Sequence, residues 1–308
     1  MMSLMMNKRY LLYLDALRLN RWPRSLAIIP GYIAAVVLID KGFSIINIGS
    51  VLRLVLAFFL TWIISTANYI INEITDAPYD AFHPQKKNRP LVKNEISKVK
   101  LLILYALMFV FATLISFLLY NNNFSLSLFA LAIAGLLYNV PPIRVKDIPI
   151  LDSTIESANN PIRFLIGWHI LSHQLAPITL LLSWWAFGNF LMVGKRVAEK
   201  KFLTESESSG YRKSLKRYSL PMLIGFMFFN AGVFVLTFTI FAINSNLKTL
   251  LFALPFILYY LSMFIKKSTQ DIDGAEEPER LLKDPYFAIY TIFLGIIFIL
   301  AYIFRGYV

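Results

Sequence analysis

Asn72, Glu73, Asp76 and Asp80 follow directly on an almost wholly apolar run, and His83, Lys86, Lys87 and Arg89 come immediately after them. At spacings of i, i+4 and i+8, Asn72, Asp76 and Asp80 share one face of a helix that continues so far. Pro78 opposes that continuation, because it disfavours helical geometry at Ala77. The expectation is a helix end and a short second helix, with the acids still converging. Two carboxylates about 6 Å apart at an effective dielectric near 20 repel by roughly 3 kcal/mol, a cost that a bound divalent cation reverses. Hard oxygen ligands in an incomplete shell suit Mg2+ that a substrate phosphate also holds. Asn72, Asp76 and Asp80 are therefore the candidate metal ligands, and the bases downstream can take the remaining phosphate oxygens. The alternative is a solvated loop whose charges bind nothing.

Other polar segments interrupt the apolar chain. LYNVPPIRVKDIPILDSTIESANNPIRF, residues 137–164, supplies Arg144 and Lys146, which are either functional or ordinary loop bases. Asp152, Glu156 and Arg163 fall in the first turns of an apolar segment, where a charge near the bilayer centre costs about 2.5–3.5 kcal/mol. Such residues face a protein cavity, so this helix is expected to line a wet pocket opening inward, with Asn159, Asn160 and Pro161 adding a polar, kinked stretch. A purely structural polar network is the other reading. In GKRVAEKKFLTESESSGYRKSLKRY, residues 194–218, Gly194 lets backbone approach, and Lys195, Arg196, Glu199 and Lys200 fill the next two turns. A basic pair at the membrane surface suits a phosphate, Arg through a fork of donors and Lys as a point charge; a solvated face looks the same. DIDGAEEPERLLKDPY, residues 271–286, either caps a site or balances charge. His83, His169 and His173 have no metal-ligand spacing. ANYIIN and GNFLMVG are faintly alike, each leading into a charged segment.

These segments need a frame, and the composition defines it. Of 308 residues, 57% are apolar and 16% charged, against about 25% charged in soluble domains, so the fold expected is an all-α integral membrane protein. Nine apolar stretches approach the roughly 20 residues of a transmembrane helix: 25–39, 51–72, 99–119, 124–141, 153–172, 176–194, 218–243, 247–265 and 286–304. With the amino end inside, all but Lys41, Arg53, Arg163, Lys248 and Arg305 of the 30 Lys and Arg residues fall on the cytoplasmic side, as the positive-inside rule requires. The inward loops are then 73–98, 142–152, 195–217 and 266–285, and the carboxyl end is outside. Residues 1–24 read as an amphipathic cytoplasmic helix on the membrane rather than a cleaved signal peptide. Residues 25–308 read as a single nine-helix catalytic domain with a central cavity open to the cytoplasm. The net charge of +12 is mostly a topology signal with attraction to membrane lipids, and nucleic acid is not an expected partner. With no cysteine, disulfides and thiolate metal sites are excluded.

The motifs resemble those of the UbiA-type membrane prenyltransferases. Asn72-Glu73-x-x-Asp76-x-x-x-Asp80, followed by Lys86, Lys87, Arg89 and Pro90, is similar to the family's Asn-Asp-x-x-Asp-x-x-x-Asp and its basic run ending Arg-Pro, with Glu73 a departure. Tyr138, Pro141, Pro142, Arg144 and Lys146 resemble the family's Tyr-x-x-Pro-Pro-x-Arg-x-Lys loop. The second family signature, an Asp-x3-Asp after the sixth span that holds a prenyl diphosphate through Mg2+, is missing. Gly194-Lys195-Arg196-Val197-Ala198-Glu199 stands in its place. That run, the downstream Arg212 to Leu215, the late Gly-x-x-x-Pro-Glu loop and the opening Leu17, Arg18 and Trp22 resemble the decaprenyl-phosphate phosphoribosyltransferase branch, with Val197 where the branch has Tyr.

The resemblance implies Mg2+-dependent transfer of a 5-phosphoribosyl group from phosphoribosyl diphosphate to a polyprenyl phosphate. The catalytic residues implied are Asp76, Asp80, Lys86 and Arg89. Asn68, Asn72, Glu73, Lys87, Tyr138, Arg144, Lys146, Arg163, Lys195, Arg196 and Glu199 would bind substrate. A monophosphate lipid acceptor needs one Mg2+-diphosphate site and one basic site, and the sequence has one acidic and one basic motif. The alternative is an ordinary family member that moves a prenyl group onto an aromatic or other acceptor, against which the missing acidic motif stands. A transporter would place ionisable groups or broken helices at mid-membrane on several spans, and here only the fifth does so.

Overall fold

The computed structural model describes residues 2–39, 42–82, 86–202, 213–270 and 284–306, and these are helical apart from their connecting turns. The helices are α1 (Met2–Leu17), α2 (Ile29–Leu38), α3 (Ile48–Asp80), α4 (Lys98–Leu119), α5 (Asn122–Asn139), α6 (Leu151–Trp168), α7 (Ile178–Phe202), α8 (Lys213–Arg217), α9 (Leu220–Asn244), α10 (Leu254–Gln270) and α11 (Pro285–Ile303). Two tighter 3-10 stretches, Leu19–Ile28 and Lys248–Ala253, lead into α2 and α10. Every expected span falls on helix. Among the described residues six are long and apolar enough to cross a membrane: α3, α4, α7, α9, Lys248–Gln270 and α11. Outside that set are α2, with 10 residues, α5, and α6, which carries Asp152, Glu156 and Arg163.

Short polar side chains fix where the helices begin. Asn47 Oδ1 accepts from the Ser50 amide at 2.9 Å while the Ser50 hydroxyl accepts from the Asn47 amide at 3.0 Å, a reciprocal cap that satisfies donors the first turn leaves over. Ser97, Asn121, Ser219 and Asp284 cap α4, α5, α9 and α11 in the same sense.

The expected break at Pro78 does not occur. α3 continues through it to Asp80, so the loop expected from residue 73 begins only after Asp80. Pro78 lies in the last turn, where its missing amide leaves only the Ile74 carbonyl without a helical donor, and it is exposed. α7 likewise runs on to Phe202, replacing the start of the loop expected from 195. The acidic segment 271–283, His83 and Arg212 lie outside the described residues.

The chain forms two compact units, one of residues 2–176 with Lys213 and the other of the remaining described residues from 177 onward. In the first, α3 packs on α1, α4 and α5, α5 on α6, and α6 on α2. Ile28, Tyr32, Leu60, Ile64, Phe124, Leu128 and Leu131 form its main core. Ala16, Ile70, Ile74, Leu91 and Leu101 form a second one, which fastens α1 to the far end of α3. α2 and α6 touch backbone to backbone: a Cβ on Gly31 would lie 1.9 Å from Phe164 O, and one on Gly167 1.8 Å from Ile28 O. Small residues permit such approach where packing, rather than exclusion of water, drives helix association.

In the second unit α7 lies along α9 and also meets α10, which packs on α11. Asn189 Nδ2 donates to Asn230 Oδ1 at 2.9 Å, and Ser183 Oγ to Thr237 Oγ1 at 3.0 Å, tying α7 to α9 through buried polar pairs. The Lys267 ammonium, 2.7 Å from Asp284, holds that carboxyl below the usual carboxylate range. This tie between α10 and α11 is therefore present above that range and lost as pH falls through the lowered value.

Gly167→Leu is expected to lower the melting midpoint in detergent, since overpacking costs about 1–3 kcal/mol. Gly225→Ala, where a Cβ meets nothing within 4 Å, should leave it unchanged or raised. The check is a thermal melt followed by size-exclusion chromatography.

Candidate functional site

Continuity of α3 through Pro78 decides how its acids are arranged. At about 100° per residue, Asn72 and Asp76 are about 40° apart in azimuth, whereas Glu73 and Asp80, seven positions apart, differ by only about 20°. The acids accordingly divide between two sets of partners.

Asn72 and Asp76 face the loop between α5 and α6. Asn72 Nδ2 donates to Asn139 Oδ1 at 2.9 Å, and Lys146 Nζ donates to the same oxygen at 2.9 Å. Asp76 Oδ1 accepts from Arg144 Nη2 at 3.1 Å and also from Lys146 Nζ. Arg144 in turn donates through Nε to Asp147 at 3.1 Å and through Nη1 to Thr75 O at 3.1 Å. Its guanidinium lies 4.1 Å from the centre of the Tyr79 ring, a favourable placement of a cation on a π face. Arg144 and Lys146 are both buried, which bases of an ordinary loop would not be. Tyr138, on the last turn of α5, donates to Glu156 at 2.8 Å, and the Lys146 ammonium lies 5.9 Å from its ring centre.

Glu73 and Asp80 share Arg89 instead. Arg89 Nη1 donates to Asp80 Oδ2 and lies 3.5 Å from Glu73 Oε2. Arg18 Nη2, from the amino-terminal segment, donates to the same Glu73 oxygen at 2.5 Å. Both carboxylates are buried. Lys86 is half-buried and Lys87 exposed, on the 3-10 turn Lys86–Asn88 that precedes Arg89.

No group of three or more His, Cys, Asp or Glu side chains among the described residues could by itself hold a metal. For Mg2+ that is no obstacle, because it takes one or two carboxylates and completes its shell with substrate phosphates and water. Asp80 Oδ1 is buried without a hydrogen-bond partner, an anionic oxygen left open for such a cation, and Asp76 and Asn72 stand one and two turns before it. The donor set fits Mg2+.

The other predicted residues are placed differently. Asn68 Nδ2 donates to Leu131 O at 2.8 Å, and its side chain fills the space above Gly135, so it fastens α3 to α5. Arg163 Nη2 donates to Ser65 Oγ at 3.3 Å. On α7, Arg196 Nη1 donates to Glu199 Oε2 at 3.0 Å and both are buried; Lys195 is half-buried beside them. A Cβ on Gly194 would lie 2.4 Å from the Phe264 ring, so this glycine admits a side chain of α10.

Asn139, Tyr79 and Arg18 were not expected in the site. Asn139 adjoins Tyr138 in the Tyr-x-x-Pro-Pro loop, and Arg18 belongs to the Leu-Arg-x-x-x-Trp run, so both stood in segments already singled out. Nothing local marks Tyr79.

With this geometry in view, the chain matches the model of the UbiA prenyltransferase family over residues 27–196, more than half its length. The chain belongs to that family and is a transferase of the membrane. It is 27% identical over 289 residues to the decaprenyl-phosphate phosphoribosyltransferase of Mycolicibacterium smegmatis, covering 88% of this chain and 86% of that one. It is 25% identical over 270 residues to the protein of the same name from Mycobacterium tuberculosis, covering 86% and 85%. Among solved structures, a UbiA homolog from Archaeoglobus fulgidus bound to GPP and Mg2+ matches with a TM-score of 0.68 at 17% identity, over 94% of this chain and 99% of that one. A structure of digeranylgeranylglyceryl phosphate synthase matches with a TM-score of 0.62 at 18% identity, over 97% of each. These two likenesses are of fold.

Removing Arg89 leaves Asp80 buried without its counter-ion, a loss of about 3–5 kcal/mol for a fully buried pair and less here because Arg89 is partly exposed. Arg89→Met should therefore lower the melting midpoint, and Arg89→Met/Asp80→Asn should recover most of it. Equal midpoints for the single and double variants in the same detergent would show that the pair carries no stability.

Proposed function

We propose that this enzyme transfers a 5-phosphoribosyl group from phosphoribosyl diphosphate to a polyprenyl phosphate, with Mg2+. The observation that carries the proposal is the contrast between α3 and α7. Carboxylates and bases crowd the end of α3, whereas α7 bears Lys195 and Arg196 with the single acid Glu199, which pairs with Arg196. One site then suits a metal diphosphate and the other a monophosphate. The names of the two mycobacterial relatives support the same reaction.

In this reading Asp76, Asp80 and Asn72 hold Mg2+, which supplies charge neutralisation to the donor's diphosphate. Lys86 and Arg89 take up the charge of the departing diphosphate, with Lys87 at the rim. Arg144 and Lys146, which neutralise Asp76, turn to phosphate oxygens. Each internal ion pair is thereby exchanged for an external one, and no charge is left buried alone. The bond from ribose C1 to the diphosphate oxygen breaks with its electron pair leaving on diphosphate. An oxygen of the lipid phosphate forms the new bond at C1. That phosphate is already anionic at neutral pH, so no general base is needed, and catalysis rests on orientation and charge stabilisation. Lys195 and Arg196, oriented by Glu199, hold the lipid phosphate. Nine spans with the amino terminus and the cavity mouth in the cytoplasm are the proposed topology, supported by where Lys and Arg fall.

Purified enzyme given labelled phosphoribosyl diphosphate, polyprenyl phosphate and Mg2+ is expected to move label into lipid. Chelation should stop this and Mg2+ restore it, and Asp76→Asn should reduce it at least about 100-fold. Label appearing only in a prenylated aromatic product, when a prenyl diphosphate and acceptors are supplied instead, would replace this reading with prenyl transfer.

A further inference from the structure

The amino-terminal segment enters the candidate site through one side chain. Arg18 stands between α1 and the 3-10 stretch at φ 49° and ψ 45°, the left-handed region that residues with a Cβ avoid. The turn is held by Arg18 N donating to Asp15 O at 3.0 Å and Arg21 N donating to Arg18 O at 2.9 Å. Backbone strain of this kind persists where the surroundings require it, and it gathers at functional sites. Arg144, which reaches Asp76 from the other side, is also left-handed, at φ 32° and ψ 61°. Arg18 and Arg144 therefore both come to α3 from an unfavourable backbone.

What Arg18 reaches is a contested carboxylate. Glu73 Oε2 lies 2.5 Å from Arg18 Nη2 and 3.5 Å from Arg89 Nη1, and that same Arg89 nitrogen donates to Asp80. Arg89 thus stands between two buried acids, and Arg18 is the nearer counter-ion of one of them.

We infer that Arg18 is a positioning residue for the diphosphate: it takes up the charge of Glu73, which keeps Arg89 on Asp80 with its other donors available to the leaving group. The inference rests on the proposed function for the identity of the ligand. Without Arg18, the buried Glu73 carboxylate draws Arg89 to itself, and the leaving group loses part of its counter-charge.

Isothermal titration of the purified full-length chain in detergent with Mg2+ and pyrophosphate reads this directly, whatever group the donor carries. Arg18→Gly removes the side chain at a turn whose backbone suits glycine, so the fold is expected to survive, as a melting curve checks. Its dissociation constant for Mg2+-pyrophosphate should rise about tenfold, or about 1.4 kcal/mol. Arg18→Gly/Glu73→Gln, which removes the competing charge as well, should bind several-fold more tightly than Arg18→Gly alone. Arg18→Lys keeps the positive charge and should lose less than Arg18→Gly. Undiminished binding by Arg18→Gly, a double variant as weak as the single, or Arg18→Lys as weak as Arg18→Gly would each overturn the inference. Absence of pyrophosphate binding by the unsubstituted chain would overturn the reading of the site as well.

Discussion

A carboxylate at the end of an apolar helix can stay ionised and buried only if a counter-ion comes to it, and α3 carries two such groups, Glu73 and Asp80, with a third, Asp76, half-buried between them. Neutralising them organises the surrounding chain. Arg89 returns to Asp80 from the turn after α3, Arg144 and Lys146 are brought to Asp76 by the loop between α5 and α6, and Arg18 comes to Glu73 from the amino-terminal segment. Apart from the pair that Arg144 makes with Asp147, two further contacts that position these bases are not ionic. Asn139 is anchored to its own helix by donating to Gly135 O at 2.9 Å while its oxygen receives Asn72 and Lys146, and the second apolar cluster fastens α1 where Arg18 must reach. Packing holds the backbone in register, and electrostatics selects which side chains meet.

A closed set of ion pairs is also a set of ligands held in reserve. Hydrophobic replacements of similar volume often match or exceed a buried pair in stability, so the network contributes less to folding than its number of bonds implies. In the proposed reaction its value would lie in exchange, because a metal diphosphate would bring a cation for the acids and an anion for the bases in one step. Arg196 and Glu199 contrast with this. They pair within one helix, three positions apart, rather than drawing distant segments of the chain together.

Much of this was legible in the sequence where the signal was local. Apolar runs located the helices, and the i, i+4 spacing set Asn72 and Asp76 on one face, toward the segment from Asn139 to Lys146. What failed was the treatment of Pro78. Its penalty is real inside a helix but small in a last turn, and treating it as a break hid the seven-residue relation between Glu73 and Asp80. Contacts across long separations had no local signal: Arg18 and Glu73 are 55 positions apart, and no periodicity announces their meeting. Asn68 likewise gave no local sign that its amide nitrogen joins α3 to α5.

The length of α3 has a consequence for where chemistry can take place. Its 33 residues span about 50 Å at 1.5 Å per residue, while the hydrocarbon layer is about 30 Å thick. Even at a tilt of about 40°, the upper end of the usual range, the helix rises about 38 Å and overshoots the layer. Both ends bear charge, Arg53 in the second turn and Glu73, Asp76 and Asp80 at the far end, and the run of about 30 Å from Arg53 to Glu73, at 1.5 Å per residue, matches the layer and leaves both charged ends at its edges. The acids of α3 therefore stand at headgroup depth. The proposed sugar diphosphate would reach them there without entering lipid, and the proposed lipid phosphate would meet them without leaving it.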